Sequence, residues 1–558
     1  MYDNDYIAEQ FSLLAKIMDI RGENSFKIKS YSIAANTIEK LTTPLADTPP
    51  DKITSIKGIG DAIGKKIQEI IQTGELPLLR NYIEMTPPGI IQMLDIKGLG
   101  PKKIATIWKE MEIESIGELL YACQENRLLL FKGFGEKTQL NVKAAIEFYL
   151  KSQGSHLYSD VEAYAYTLNA KLEGHFSQDR LHFTGEFRRQ LEIIDQLQWV
   201  TTTSPAALQQ YLEAEGFTQE PSSSSRFNSP EGIKLEFFHA SPDNFAATLL
   251  ETSCSKEFLH AWQEKTKWDR ALPYDSEDAI FSAVSIHPIP PYIREQEYIL
   301  GKAAKAPLPE YIQPGDIRGI IHSHSNWSDG SNTLEEMAKA CIAKGFEYLV
   351  ISDHSKSAGY ANGLKEDRIK EQHQLIDELN RQLSPFTIFK SIESDILNDG
   401  SLDYSDDILS SFDLVIASVH SNLKMTEDKA MMRLLRAIEN PYTTILGHMT
   451  GRLLLSRPGY PVDYRQIIDA CAANKVVIEL NAHPRRLDMD WRWIPNALEK
   501  GVLISIDPDA HFIESYHHVK YGTLSAQKGG LTAASNLSSF PLEQFKTFLA
   551  DRKKFKGL

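Results

Sequence analysis

Cysteine is scarce: four residues in 558, Cys123, Cys254, Cys341 and Cys471, widely spaced and without a Cys-x-x-Cys pair. This excludes a disulfide framework and a thiolate-built zinc site, and fits a reducing compartment. Long apolar runs are absent too: none approaches the roughly 18 residues that a membrane span needs. The opening MYDNDYIAEQ is polar and acidic, unlike a secretory leader, so a cytoplasmic protein without membrane contact is expected. Positive charge is in deficit, 60 Lys and Arg against 75 Asp and Glu, for a net charge of −15. Taken globally, that balance argues against nucleic acid as a partner. A local basic patch or a bound cation cluster can nevertheless offset the field at one face. With 42% hydrophobic and 24% charged residues, the chain is ordinary soluble globular material, long enough for several domains.

Against these deficits, histidine and carboxylate are concentrated. Asp316 to Gly330 reads DIRGIIHSHSNWSDG. The run Ile317 to Ile321 predicts a short strand delivering His322 and His324 two residues apart, on one face if the backbone stays extended. Asp329 follows, close enough for a loop to return its carboxylate to the same point. Alone, a His-x-His pair reads first as two surface or satisfied histidines. The pattern repeats, however. Tyr348 to Ser352 runs into Asp353 and His354, and Phe386 to Ile392 into Glu393 and Asp395. Leu414 to Val419 runs into His420, and Thr443 to Gly447 into His448. Val476 to Leu480 runs into Asn481 and His483, and Val502 to Ile506 into Asp507, Asp509 and His511. Helical patterns separate the runs, for example Thr333 to Lys344 and Glu366 to Gln382. Alternating strand and helix predicts parallel strands with right-handed crossovers, and about seven units in roughly 240 residues is the size of a closed β/α barrel. Strand carboxyl ends form the mouth of such barrels, so these polar termini converge on one cavity.

Imidazole and carboxylate without thiolate suit Mn²⁺, Zn²⁺ or Fe. The donors outnumber what one ion can take, so a cluster of two or three is expected. Clustered divalent ions serve in-line displacement at phosphorus, which makes phosphoester hydrolysis the first reading. Amide or amine hydrolysis in an amidohydrolase-like barrel is the competitor.

The motifs HSHSNWSDG, ISDHS, IESDIL, ASVHS, GHMTGRLL, ELNAHPRRLD and DPDAH resemble, in order and spacing, those of the polymerase and histidinol phosphatase (PHP) domain as fused to bacterial family X DNA polymerases. The resemblance implies that His322, His324, Asp329, His354, Glu393, His420, His448, Asp509 and His511 ligate a three-metal cluster. It places His322, His324, Glu393 and Asp509 at the chemistry. Asp353, Asp395, Asp507 and His483 lie beside the motifs and are read as supporting groups.

Toward the N-terminus, Glu9 to Ile20 and Asn24 to Glu39 predict two helices, the second with Lys27 and Lys29 near its start. A short pattern then occurs three times: Ile56-Lys-Gly58-Ile-Gly60, Ile96-Lys-Gly98-Leu-Gly100 and Phe131-Lys-Gly133-Phe-Gly135, each opening a helix with Lys66, Lys102 or Lys137 in it. One copy reads equally well as an ordinary tight turn between packed helices. Three copies resemble the helix-hairpin-helix motif, whose glycines let backbone amides at a helix N-terminus cradle a phosphate without reading a base. Gly58, Gly60, Lys66, Gly98, Gly100, Lys102, Gly133 and Gly135 are therefore the candidate DNA contacts. NSFKIKSYSIAANTIEKL with SIKGIGDAIGKKI resembles the lyase-type domain of family X polymerases, and Lys66 falls at that family's Schiff-base lysine. A solvated helix lysine is the alternative.

In the middle, Val161 to Leu172 predicts a helix, and TGEFRRQLEIIDQLQWV resembles the family's palm motif. Gly185, Arg188 and Arg189 are kept, but the expected serine is Glu186, the paired aspartates fall on Gln196 and Gln198, and the third acid is Glu236. Glutamine is a poor Mg²⁺ ligand, so Mg²⁺ enters only if that site still works. Cys254 to Phe258 departs likewise from the family's thumb. Pro221 to Pro230 reads as a flexible low-complexity loop, and Pro288 to Glu295 with Ala304 to Gly315 as a proline-rich connector.

The expected fold is thus an all-α helix-hairpin-helix domain over 1–150, an α+β nucleotidyltransferase-like domain over 151–310, and an α/β distorted (β/α)7 PHP barrel over 311–558. The resemblance implies a DNA-repair nuclease with 3′→5′ exonuclease activity, extending to cleavage at abasic sites, and DNA as partner. A monomer without protein partners is expected. The alternatives are a gap-filling polymerase, a non-catalytic DNA-binding scaffold and a small-molecule phosphatase.

Overall fold

In the computed structural model, which describes residues 4–41, 43–151 and 154–558, the chain divides into two compact units between Tyr149 and Leu150. The first unit is helical. Asn4–Arg21 buries Ile7, Phe11, Leu14 and Met18, an apolar stripe at helical spacing. It packs on Ser25–Glu39, whose Tyr31 ring stacks 6.0 Å from Phe11. Asn24 caps that second helix by accepting from the Phe26 and Lys27 amides. The three glycine patterns are three turns with one geometry. Gly58, Gly98 and Gly133 sit at φ of 96°, 94° and 96°, where a side chain would be strained. Gly60 and Gly100 are the extended residues that start the helices Asp61–Thr73 and Pro101–Lys109, and Gly135 precedes Glu136–Lys151. Ile59, Leu99 and Phe134 anchor the turns in the core.

In the second unit, the helix Tyr158–His175 leads into a five-stranded sheet: β1 (Leu181–Thr184), β2 (Leu197–Thr201), β3 (Thr218–Gln219), β4 (Arg226–Asn228) and β5 (Lys234–His239), in the order β1-β2-β5-β4-β3. Its face is packed by Trp199 stacked on Phe237, with Phe227 fully buried beside them. Strand β4 corrects the expectation of a loop at Pro221 to Pro230. The serines hide Phe227, whose burial draws three residues into the ladder between β3 and β5. The expected connector is also no free linker. Ile289, Ile293, Ile299, Ala303 and Tyr311 are buried, and a helix, Tyr298–Ala303, lies between its two halves.

The barrel follows as β6 (Gly319–Ile320), β7 (Tyr348–Ile351), β8 (Thr387–Asp395), β9 (Leu414–Ser418), β10 (Thr443–Leu446), β11 (Val477–Asn481) and β12 (Ile504–Asp507), all parallel and in chain order. Helices such as Leu334–Ala343, Glu366–Gln382, Glu427–Glu439 and Tyr464–Asn474 make the crossovers. First and last strands meet at their carboxyl ends, where the His324 amide donates to the Ala510 carbonyl at 2.8 Å and the Ala510 amide to the His322 carbonyl at 3.2 Å. Inside, Tyr348, Phe389, Ile416 and Val477 pack against Phe545 and Leu549 of the C-terminal helix Leu542–Lys556. Burying a side chain such as Phe545 contributes about 2–3 kcal/mol.

Candidate metal centre

The nine predicted donors lie at or just beyond the strand carboxyl ends and face one another. The route for the first pair differs from expectation. Strand β6 ends at Ile320, and His322 has φ of 57°, so the backbone at His322 is not extended and simple alternation does not apply. This left-handed residue still turns the chain so that the His322 and His324 rings lie 5.3 Å apart. A non-glycine residue there costs on the order of 1–3 kcal/mol. The opposing contribution is visible: His322 Nδ1 donates to Glu479 at 2.5 Å. Asp509, at φ of 51°, is held similarly across the barrel seam.

Asp329 reaches the cavity because Asp353 gathers the intervening loop. The Asp353 carboxylate accepts from the Ser325 amide at 2.8 Å, the Ser325 hydroxyl at 2.7 Å, the Ser328 hydroxyl at 2.5 Å and Gln372 at 2.6 Å. Gly330 lets the loop close, since a Cβ there would run into the His324 carbonyl. Asp329 thereby lies 3.5 Å from both His354 Nε2 and His511 Nε2. Glu393 is the hub, 2.9 Å from His448, 3.1 Å from His420, 3.2 Å from His322 and 2.9 Å from His354.

Three donor groups result, His324-Asp329-His354-His511, His322-His324-Asp509 and His354-Glu393-His420, each with its ligand atoms within 4.8 Å of one another. They overlap through His324 and His354, and His448 joins through Glu393. The set fits divalent ions. His322 Nε2, His324 Nδ1, Asp329 Oδ2 and His354 Nε2 are buried without a hydrogen bond, a cost that a bound cation would relieve. Imidazole and carboxylate without sulfur suit Mn²⁺, Zn²⁺ or Fe.

Protonation follows the same crowding. Burial opposes charge on His322, but Glu479, Asp509 and Glu393 outweigh it and raise its pKa well above the usual histidine value. His354 goes up to about 10, against burial, because of Asp329 and Glu393. His324 falls to about 3, through burial and then the neighbouring His354 and His511. Despite burial, the adjacent histidines hold Asp329, Glu393 and Asp509 well below the carboxylate range.

Around the donors, Asp395 accepts from His420 Nδ1 at 2.8 Å, and Asn481 donates to Asp509 at 3.0 Å. Asp507 accepts from Ser505 at 2.6 Å, and burial beside Glu479 pushes its pKa well up. His483 stands outside the three groups, accepting from the Arg485 amide and packed 4.9 Å from His518. Glu479 is missing from the candidates that the sequence offers. Its one signal is a lone carboxylate inside the apolar run Val476 to Leu480, on a strand with every residue buried.

In the helical unit, a Cβ at Gly60, Gly98, Gly100, Gly133 or Gly135 would meet nothing within 4 Å, so these backbones are open to approach. At Gly58 it would touch Ile33 and Thr37. Lys102 is exposed, while Lys66 is half-exposed and directed to the Ala62 carbonyl at 3.4 Å. Lys103 lies 5.9 Å from the Phe134 ring, linking the second and third turns.

In the middle sheet, the three acid positions do come together, but as a closed network. Gln196 and Gln198 both donate to Glu236 Oε2, at 3.0 and 2.6 Å, and Arg226 donates to Oε1 at 2.8 Å. Gly185, at φ of 61°, leaves room for the Gln198 amide. Arg188 is paired with Glu277 and Arg189 with Glu295.

Comparison with known proteins adds three domain matches: a helix-hairpin-helix domain over residues 2–76, a SAM-like helix-hairpin-helix tandem over 90–147, and a PHP domain over 321–483. The DNA polymerase/3′-5′ exonuclease PolX of Bacillus subtilis (strain 168) is 32% identical over 562 residues, covering 96% of this chain and 97% of the relative. A probable phosphatase of Thermoanaerobacter sp. (strain X514) is 25% identical over 248 residues, 42% of this chain and 96% of its own. The probable phosphatase YcdX of Escherichia coli O81 (strain ED1a) is 26% identical over 204 residues, 34% of this chain and 77% of its own.

Proposed function

The chain belongs to the PolX family of DNA polymerase/3′-5′ exonucleases, and from that premise we propose that its barrel hydrolyses phosphodiester bonds of DNA from a 3′ end while the helix-hairpin-helix turns hold the strand. The observation that carries this reading is the overlap of three buried donor groups through His324 and His354. Asp329, His354 and His511 would hold one ion, His322, His324 and Asp509 a second, and His420 with His448 a third, with Glu393, within 3.6 Å of His322, His324, His354, His420 and His448, the carboxylate available to more than one of them. Bound divalent ions supply Lewis acidity, lowering the pKa of water and offsetting charge at phosphorus.

The chain's own contribution is preorganisation. Glu479 keeps a proton on His322 Nδ1, and Asp395 does so on His420 Nδ1, so the other ring nitrogen of each faces the cluster. Arg486, buried 3.9 Å from Asp509, puts fixed positive charge at the cluster's edge, suited to a phosphoryl oxygen. Residues 1–150 would grip the backbone, and 151–310 would act as a rigid support. Nucleotide addition is disfavoured because Glu236, the remaining acid of the palm triad, is already engaged by Gln196, Gln198 and Arg226.

The test is digestion of 5′-labelled single-stranded DNA with Mn²⁺. Products shortened one nucleotide at a time from the 3′ end are expected. Hydrolysis of small phosphomonoesters with no attack on DNA would favour the phosphatase alternative.

A further inference from the structure

Two loops flank the donor group that contains Asp329 and His354, and each carries an aromatic ring that is only partly buried, that of Trp327 packing on one side against the barrel core. Trp327 stands two residues before Asp329, and Tyr360 follows His354, its ring centroid 6.3 Å from that imidazole at 58°. The loops are tied to each other. Asn362 donates to the Trp327 carbonyl at 3.2 Å, and Arg368 donates to that carbonyl and to the Asn362 carbonyl, the latter at 2.9 Å. The Arg368 guanidinium also lies 5.7 Å from the Trp327 ring centroid and is itself half-exposed.

We propose that Tyr360 and Trp327, with Arg368, form a stacking site for the terminal nucleobase of the strand being degraded; this rests on the nuclease reading above. Aromatic faces and a guanidinium plane stack on any base, whatever its sequence, and the cation also favours an adjacent phosphate. A base one sugar away from the scissile phosphate is the flat group that a site at this distance from the donors would meet. Inorganic phosphate or a small aliphatic phosphoester has nothing to place there.

The experiment uses the full chain and two 5′-labelled single-stranded oligonucleotides differing only at the 3′-terminal residue, a normal nucleotide or a tetrahydrofuran abasic analogue. The wild-type protein should remove the normal residue faster, by about tenfold, the order of one base–aromatic stack. Tyr360→Leu should bring that ratio close to one, and Tyr360→Phe, which keeps the ring, should retain it. Trp327→Leu should also lower the ratio; since its loop carries Asp329, the Tyr360 pair decides if that variant does not fold. A ratio that survives in Tyr360→Leu, however the absolute rates move, overturns the stacking site. Equal wild-type rates on both oligonucleotides sink it while leaving the nuclease reading intact. Wild-type protein that degrades neither would sink both.

Discussion

Arg188 and Arg294 share one carboxylate, Glu277, at 2.6 and 2.5 Å, and Arg294 is almost wholly buried. Burial pushes the Glu277 pKa up, but the two guanidinium groups outweigh it and hold the group at about 2 instead of 4.5. A depressed carboxylate pKa contributes stability that is present above the ordinary value and lost as pH falls between about 4.5 and about 2, here on the order of 3 kcal/mol. Glu277→Gln should destabilise the second unit by about 3–5 kcal/mol at pH 7, since it leaves buried Arg294 without its counter-charge. Its deficit relative to wild type should shrink as pH falls through that window. Urea unfolding midpoints at pH 7 and pH 4 check this, and a deficit that grows toward low pH would contradict it. None of this network is legible in the sequence. There Arg188 reads as a remnant of the palm motif, and Glu277 lies 89 residues away.

At the scale of elements, the strand ends are legible because each apolar run stops at a polar group, and all seven runs form barrel strands in chain order. What stays hidden are features that hydropathy does not encode. These are the left-handed backbone of His322, the strand formed around Phe227 among serines, and the inward carboxylate of Glu479. The three glycine turns are the clearest success, since repetition makes a weak motif specific and the structure gives all three the same positive φ. Lys57, Lys97 and Lys132 are exposed beside them. If these turns hold DNA backbone, Lys97→Ala with Lys132→Ala should flatten the dependence of log affinity on log salt by roughly 0.7–0.9 for each phosphate that is no longer neutralised. Titrations at several salt concentrations read this directly, and an unchanged slope would remove these turns from the interface.

Across the second unit as a whole, the polymerase-like segment is built into the barrel. Lys528, buried on the helix Val519–Lys528, donates to the Arg189 carbonyl at 2.8 Å, the Tyr292 carbonyl at 3.2 Å and Glu295 at 2.9 Å. Lys520 and Tyr521 both donate to Glu162, at 2.5 and 3.2 Å. The positions where the palm motif would hold nucleotide and metal are filled by internal hydrogen bonds and ion pairs, which leaves the buried histidine–carboxylate cluster as the centre on which the nuclease reading depends. The most direct measurement is made on His322→Ala/His324→Ala: bound Mn and Zn by elemental analysis together with release of nucleotides from 3′-labelled DNA. Loss of at least one bound ion and a fall in nucleotide release to background are expected, with the helical unit still folded by circular dichroism. Wild-type rates of release from the double variant would show that this cluster is not the nuclease centre.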